Sequence, residues 1–354
     1  MSEAEEVSAF TFEGTWREYA PIAFTNLLLT IVTLGIYRFW ATTRSRQYLW
    51  SRTRFIDDQL EWAGTGGELF KGALMAVLLV LLPLAGLRML TQHLILSGHP
   101  GLGGLVGFVT ALGFYVLIGT ALFRALRYRL ARTYWRGIRG GSDDPGLRYG
   151  WSYVWKHFVG ALALGLMMPW AMVSLWNERW NAMTFGPYAF TARGRLDGLM
   201  GRFILCYLAP FIGIAMVSVV MVPAMIAGGG KPGAALGVTT VLAGFGVYFI
   251  MGLVVMAYYA KYFRQMVAGL SLHTLDFGFT ARTMDWIKLY LGDVALVVCT
   301  LGVGVIFLNY RHWKFYVSHM HADGHIDVDE LTQSATAAPS QGEGLLDAFD
   351  MGAF

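Results

Sequence analysis

Charge is what this sequence is short of. Of its 354 residues only 14% are charged, where a soluble domain carries roughly 25%. With 56% of the residues hydrophobic, too little charge remains to cover a water-facing surface, and a soluble globular protein is excluded. Cysteine is nearly absent. Cys206 and Cys299 both lie in apolar runs, so neither a disulfide framework nor a zinc spacing is available. The opening "MSEAEEVSAF" has no basic n-region and no apolar h-region, so no secretory leader is expected and insertion falls to the apolar runs. No Ser/His/Asp, Cys/His or paired-carboxylate pattern has catalytic spacing. "GGGKPG" lacks the Ser or Thr of a phosphate loop and the strand before it. The expectation is a non-enzyme without cofactor or metal.

Apolar runs fill the chain instead, over residues 22–40, 69–96, 102–125, 158–176, 199–227, 234–260 and 289–308. About 20 helical residues span a hydrocarbon core. The expected fold class is therefore an α-helical integral membrane protein with internal repeats and four to seven transmembrane helices. "SGHPGLGG" joins the second run to the third and "GGGKPG" the fifth to the sixth, and such turns make each pair a helical hairpin. Gly103 and Gly107 form a small-xxx-small pair suited to close helix packing.

The chain also repeats. "NLLLTIVTLG" from Asn26, "GALALGLMMP" from Gly160 and "DVALVVCTLG" from Asp293 each run from a small or polar residue to a helix breaker: Gly35, Pro169 and Gly302. Gly and Pro are the residues that can turn a helix back. "FTFEGTWREY", "LRYGWSYVWK" and "LDFGFTARTM" precede or open the three copies as short, aromatic, strand-like stretches. The period is about 130 residues, as for a repeated supersecondary unit. Residues 1–140 read as a first repeat, 141–270 as a second, 271–331 as a truncated third and 332–354 as a flexible acidic tail. "RFIDDQLEWAGT", "TYWRGIRGGSDDPGLRYGW", "MTFGPYAFTAR", "MVAGLSLHTLDFGF" and "HMHADGHIDVD" alternate around turn signals. They predict short β-hairpins gathered on one membrane face.

Basic residues decide which face. Five arginines from Arg38 to Arg54 follow the first run, six from Arg124 to Arg139 the third, and Arg179, Arg193 and Arg195 the fourth; Lys261, Arg264 and Arg282 follow the sixth run, Arg311 and Lys314 the seventh. Basic short loops stay cytoplasmic. If every run crossed, the segments after the third and fourth runs would face opposite sides. If runs 22–40, 158–176 and 289–308 enter and return, every basic segment and both termini are cytoplasmic. The charge pattern favours four crossing helices and three re-entrant or interfacial pairs, although run length alone permits seven crossings. A re-entrant segment must satisfy its broken backbone inside protein or a watery cavity, which would gather the three around a centre.

"FTFEGTWREY", "NLLLTIVTLGIYRFW", "RSRQYLWSRTRF" and "EWAGTGGELFKG" resemble the YjgN family of bacterial inner-membrane proteins. The likeness is specific in the first 75 residues and is echoed in the later repeats, so it covers most of the chain. It implies a bacterial inner (cytoplasmic) membrane and carries no activity.

The charged and polar residues within the runs are the candidates for function. Asp293 is a carboxylate in an apolar run, costing about 2.5–3.5 kcal/mol at the bilayer centre. It reads either as a coupling acid in a polar path or as a helix cap at interface depth. Asn26, Thr33, Thr300 and Arg88 are the other candidates for such a path, and Arg202 reads as an interfacial anchor. "HMHADGHID" brings His319, His321, Asp323, His325 and Asp327 close in sequence, but the reading is a soluble hairpin rather than a metal site. The Arg/Trp clusters suit anionic lipid headgroups or plain interfacial anchoring, not nucleic acid. Two functions remain open. One is a transporter or channel for a small solute. The other is a membrane-embedded scaffold or envelope-assembly factor acting through its cytoplasmic β-layer and tail. Neither the solute nor the oligomeric state is legible.

Overall fold

The computed structural model describes residues 9–227, 234–324, 326 and 331–336. Ten short strands form one antiparallel sheet in chain order: β1 (Phe10–Phe12), β2 (Thr53–Phe55), β3 (Asp58–Trp62), β4 (Thr133–Trp135), β5 (Ile138–Gly141), β6 (Thr184–Phe185), β7 (Tyr188–Ala192), β8 (Leu270–Leu272), β9 (Leu275–Phe279) and β10 (Met320–Asp323). Every strand pairs with its chain neighbours, so the connections alternate between two rims. One rim carries two-residue turns at 56–57, 136–137, 186–187 and 273–274. Two-residue hairpin loops use positive φ to match the strand twist, and Ile56, Arg136, Gly186 and His273 have φ of 56°, 52°, 55° and 53°. The other rim sends out helices at every connection.

Five helical excursions leave that rim. Two are long. The first runs through α3 (Gly66–Ala76), a π-turn at Val77–Leu81, α4 (Leu82–Leu96) and α5 (Pro100–Arg132); the second pairs α8 (Leu199–Ala227) with α9 (Ala234–Ala268). Among the described residues they contain four stretches long and apolar enough to cross a membrane: Gly66–Leu96, Pro100–Arg132, Leu199–Pro223 and Thr240–Ala268. The turn linking α8 to α9, where "GGGKPG" falls, lies outside the described residues. Gly103 of α5 faces Thr91 and Ile95 of α4 at close range, the packing expected of it.

The other three excursions are short: α1 (Trp16–Val32) with α2 (Arg38–Ser51), α6 (Leu147–Leu162) with α7 (Met168–Asn181), and α10 (Thr283–Cys299) with α11 (Leu308–His319). Their longest helices have 17 residues, about 26 Å, against the roughly 30 Å of a hydrocarbon core. Runs 22–40, 158–176 and 289–308 are thus each split between two helices. "LRYGWSYVWK" is helical rather than strand-like, since it forms the first turns of α6. Its Tyr149/Tyr153 and Trp151/Trp155 pairs recur every four residues, a helical period that its aromatic content hides.

The sheet curls into a barrel-like form. Phe10 of β1 comes within 6.4 Å of Phe277 of β9 between ring centroids, and it stacks on Phe55 at 4.5 Å. Phe55, Trp135, Phe185, Phe190, Leu272 and Leu275 belong to one buried cluster, as in small barrels whose interior is filled by side chains. The Trp135 indole donates to the Phe55 carbonyl at 2.9 Å. This core continues into the helix bases through Phe123, Tyr149, Trp176, Tyr258 and Met266. The excursions form a circuit. α2 meets α3 through Trp40 and Phe70, and α5 packs on α6, α7 on α8 and α9 on α10. The third short hairpin returns to the first through Tyr19–Tyr310 at 5.5 Å and Trp50–Trp313 at 4.0 Å. Gly150 permits the α5–α6 approach, because a Cβ there would sit 2.3 Å from Thr120 Oγ1.

Candidate functional site

The three short hairpins turn at one dipeptide. Leu34-Gly35, Leu164-Gly165 and Leu301-Gly302 all have positive φ, with the leucines at 50°, 53° and 51° and the glycines at 91°, 81° and 92°. Gly35 and Gly302 each lie between two helices. Pro169 does not. It sits in the first turn of α7 and is buried, where a missing N–H leaves no bond unmade. The break is Gly165, inside the same "GALALGLMMP". Matching breaker to breaker moved the second copy out of register.

Aligning the Leu-Gly pairs brings Lys156, rather than Gly160, onto Asn26 and Asp293, each nine residues before its glycine. All three are buried, and each reaches across to the returning helix. In the first hairpin the Asn26 amide donates to Ala41 O at 3.2 Å and to Ser45 Oγ at 3.4 Å, and the Tyr19 hydroxyl donates to the same Ser45 at 3.2 Å. In the second, Lys156 Nζ meets Glu178 Oε2 at 2.5 Å. In the third, Arg311 Nε donates to Asp293 Oδ1 at 2.6 Å, and His312 Nε2 lies 2.6 Å from Oδ2. His312 occupies the position of Ser45, ten residues after the glycine. One device, a polar clasp between two helices, is built with three chemistries: amide to hydroxyl, ammonium to carboxylate, and carboxylate to guanidinium plus imidazole.

Thr33 and Thr300 are placed alike. Each hydroxyl bonds the carbonyl four residues back, Leu29 at 2.7 Å and Leu296 at 2.6 Å, and each caps the amide four residues on, Tyr37 at 2.9 Å and Gly304 at 2.6 Å. The second hairpin has Ala163 there. So Asn26 with Thr33 and Asp293 with Thr300 belong to two neighbouring hairpins, and between these lies an aromatic seam of Tyr19, Phe24, Phe307 and Tyr310. Arg88 is exposed on α4, and Arg202 ties α8 to α9 through Ala257 O at 2.8 Å.

The tips around the turns are apolar and bare. Leu34 and Leu301 are each 94% exposed and Leu164 76%, with Val32, Ile36, Leu162 and Val298 exposed beside them. At the opposite end two of the basic residues turn inward. Arg46 and Arg179 are buried against the Trp62 and Trp176 rings at 4.9 and 5.7 Å, and Arg132 binds Glu68 at 2.7 Å. The Tyr48 hydroxyl accepts from Thr15 N and lies 3.2 Å from Glu18 Oε2. Burial first, then that carboxylate, pushes its pKa up to about 12. His319 lies at the end of α11 bonding Phe315 O, and His321 is on β10; His325 and Asp327 lie outside the described residues.

Comparison with known proteins agrees with the membrane class. The family described as "Bacterial protein of unknown function (DUF898)" matches residues 7–348. Three relatives carry the name inner membrane protein YjgN. The one from Salmonella typhimurium strain LT2 is 30% identical over 144 residues, 40% of this chain and 33% of its own. The one from Escherichia coli O157:H7 is 30% identical over 131 residues, 37% and 30% of the two chains. The one from Escherichia coli strain K12 is 27% identical over 157 residues, 44% and 36%. The matched segment thus spans about a third of each relative. No solved structure matches the chain. The chain belongs to the DUF898 family.

Proposed function

We propose that this member of the DUF898 family is a membrane-embedded scaffold of the bacterial inner membrane. Four crossing helices hold it in place. Three short hairpins dip from the cytoplasmic side into the near leaflet and seat the barrel-like sheet against the surface, with its tight-turn rim facing cytoplasmic partners. The observation that carries this is the trio of bare leucine tips, Leu34, Leu164 and Leu301. In water, three left-handed, exposed leucines are costly on both conformational and hydrophobic grounds; in acyl chains the second cost vanishes. Departure of all five excursions from one rim supports this reading, since it suits basic segments on one membrane face.

The test uses single cysteines at 34, 164 and 301 carrying a polarity-sensitive fluorophore, in a Cys206→Ser/Cys299→Ser background in liposomes. Seating in the leaflet predicts blue-shifted emission quenched by brominated acyl chains. Emission typical of water, unaffected by brominated lipid, refutes it.

Transport of a small solute is the second reading, and the Asp293–Arg311–His312 cluster favours it, since an intramembrane carboxylate beside an imidazole suits proton coupling. Against it stand the packed aromatic core of the sheet and the aromatic seam between the hairpins that hold Asn26 and Asp293. Solute flux in liposomes abolished by Asp293→Asn, with the fold retained, would reverse the order of the two readings.

A further inference from the structure

Beside the third short hairpin, against α1, lies an open cleft of about 640 Å³, within the size range of ligand sites. Its lining has a direction. Arg311, Lys314 and Ser318 recur at steps of three and four residues on α11, which is one face of a helix, and Phe307 stands at its N-terminal cap. Leu289 and Leu296, seven apart, form the facing stripe on α10. Along the α11 side the polar groups therefore lie toward the sheet, with the Phe315 ring lining the cleft beside them. Ser318 and Lys314 stand at the sheet end, Arg311 is midway, and Phe307 and Leu296 lie toward the tip. Trp16 of α1 closes the side.

The charge is one-sided as well. Among the described residues no acidic one lines the cleft. Asp293 lies behind it and is engaged by Arg311 Nε and by His312, which offsets one positive charge and holds that guanidinium in place. Gly292 makes room for it, since a Cβ there would lie 2.4 Å from Arg311 Nη2. Lys314 is exposed at the mouth and leaves the cleft cationic.

We propose that this cleft is a binding site for one anionic phospholipid. Its phosphate is held by Lys314, Arg311 and the Ser318 hydroxyl, and one acyl chain lies along Leu289, Leu296 and Phe307. The chemistry that selects it is a phosphate-sized cationic end joined to an apolar trough, the arrangement by which basic pockets between membrane helices hold acidic headgroups. A zwitterionic lipid would satisfy the trough but bring its own cation to Lys314. A free phosphate would satisfy the lysine and leave the trough empty. The orientation rests on the leaflet seating proposed above, because the apolar end of the cleft points to the hairpin tip.

The test is native mass spectrometry of the full chain in mild detergent with added phosphatidylglycerol, phosphatidylcholine or glycerol phosphate. The expected result is one retained phosphatidylglycerol, little phosphatidylcholine and no displacement by glycerol phosphate. Lys314→Glu, at an exposed position, should lower retention on the order of tenfold. Leu296→Trp should abolish it by filling the trough. Each variant is checked for wild-type elution, and if Leu296→Trp misfolds, Lys314→Glu decides alone. Equal retention of both lipids, displacement by glycerol phosphate, or wild-type retention by a folded Lys314→Glu variant overturns the site. The tip fluorescence separates the two proposals: buried tips without lipid retention sink only the cleft, and retention with water-exposed tips sinks only the seating.

Discussion

The clasp of the second hairpin gives the sharpest energetic expectation. Lys156 and Glu178 meet at 2.5 Å, with the lysine side chain 9% exposed and the glutamate 30%. Removing one member of a buried ion pair costs about 3–5 kcal/mol, because the other is stranded; partial exposure reduces this. The two members should therefore differ. Glu178→Leu strands the deeper charge and should cost about 2–3 kcal/mol, whereas Lys156→Met leaves a carboxylate that can turn to water and should cost about 1–2 kcal/mol. The double variant joins two apolar side chains across the hairpin and should lie within about 1 kcal/mol of the parent. The coupling energy is then about 4 kcal/mol. Denaturant titration in mixed micelles, read by tryptophan fluorescence, measures all four corners of the cycle. A coupling below about 0.5 kcal/mol, the range of an exposed pair, would refute the view that the clasps hold the hairpins closed.

Other expectations concern the turns, the core and pH. Gly302→Ala should cost about 1–2 kcal/mol for its left-handed backbone, whereas Pro169→Ala should cost less than about 1 kcal/mol; the reverse order in thermal unfolding would return the break to Pro169. Trp135→Ala, at a side chain 1% exposed, should cost about 3–5 kcal/mol and disrupt the sheet, read as a loss of near-ultraviolet ellipticity; a near-native signal would contradict a packed interior. Tyr48 has its pKa raised from 10.0 to about 12 in the folded chain, so its contribution is complete below pH 10 and is lost as pH rises through 12. Stability should fall across that window in the parent and fall less in Tyr48→Phe, with phenolate absorbance tracking the titration. Equal alkaline loss in both chains would remove Tyr48 from the account.

Much of the architecture was legible because it rests on local chemistry. Charge poverty and run length mark the long helices, and two-residue turns such as Gly186-Pro187 announce their hairpins. Closure of the sheet was not legible, because the approach of Phe10 to Phe277 joins residues at opposite ends of the chain and leaves no local pattern. The short hairpins were half legible. Thr-Leu-Gly is visible twice, but in the second copy Ala163-Leu164-Gly165 is followed by a proline that reads as a stronger breaker. That one misreading hid Lys156, which looks like an ordinary interfacial lysine until Gly165 is set against Gly35 and Gly302. The clasp partners, Ser45, Glu178, Arg311 and His312, needed the returning helix to be placed. Asp293 was singled out for its charge and its place in the repeat, and Arg88 for its charge alone; among the described residues Asp293 is held by Arg311 and His312 while Arg88 is exposed.

Pairing in chain order also sets how the sheet can be assembled. Each new strand needs only the strand made before it, so loop closure is spread over many short steps rather than one long search. Every second step first requires a helical pair to form, and until it does the last strand made offers a bare edge able to capture a stray segment. The strands are two to five residues long, so such an edge presents few free amides at any moment. Brevity of the strands, which weakens each pairing in the finished protein, thus guards the unfinished one against mispairing.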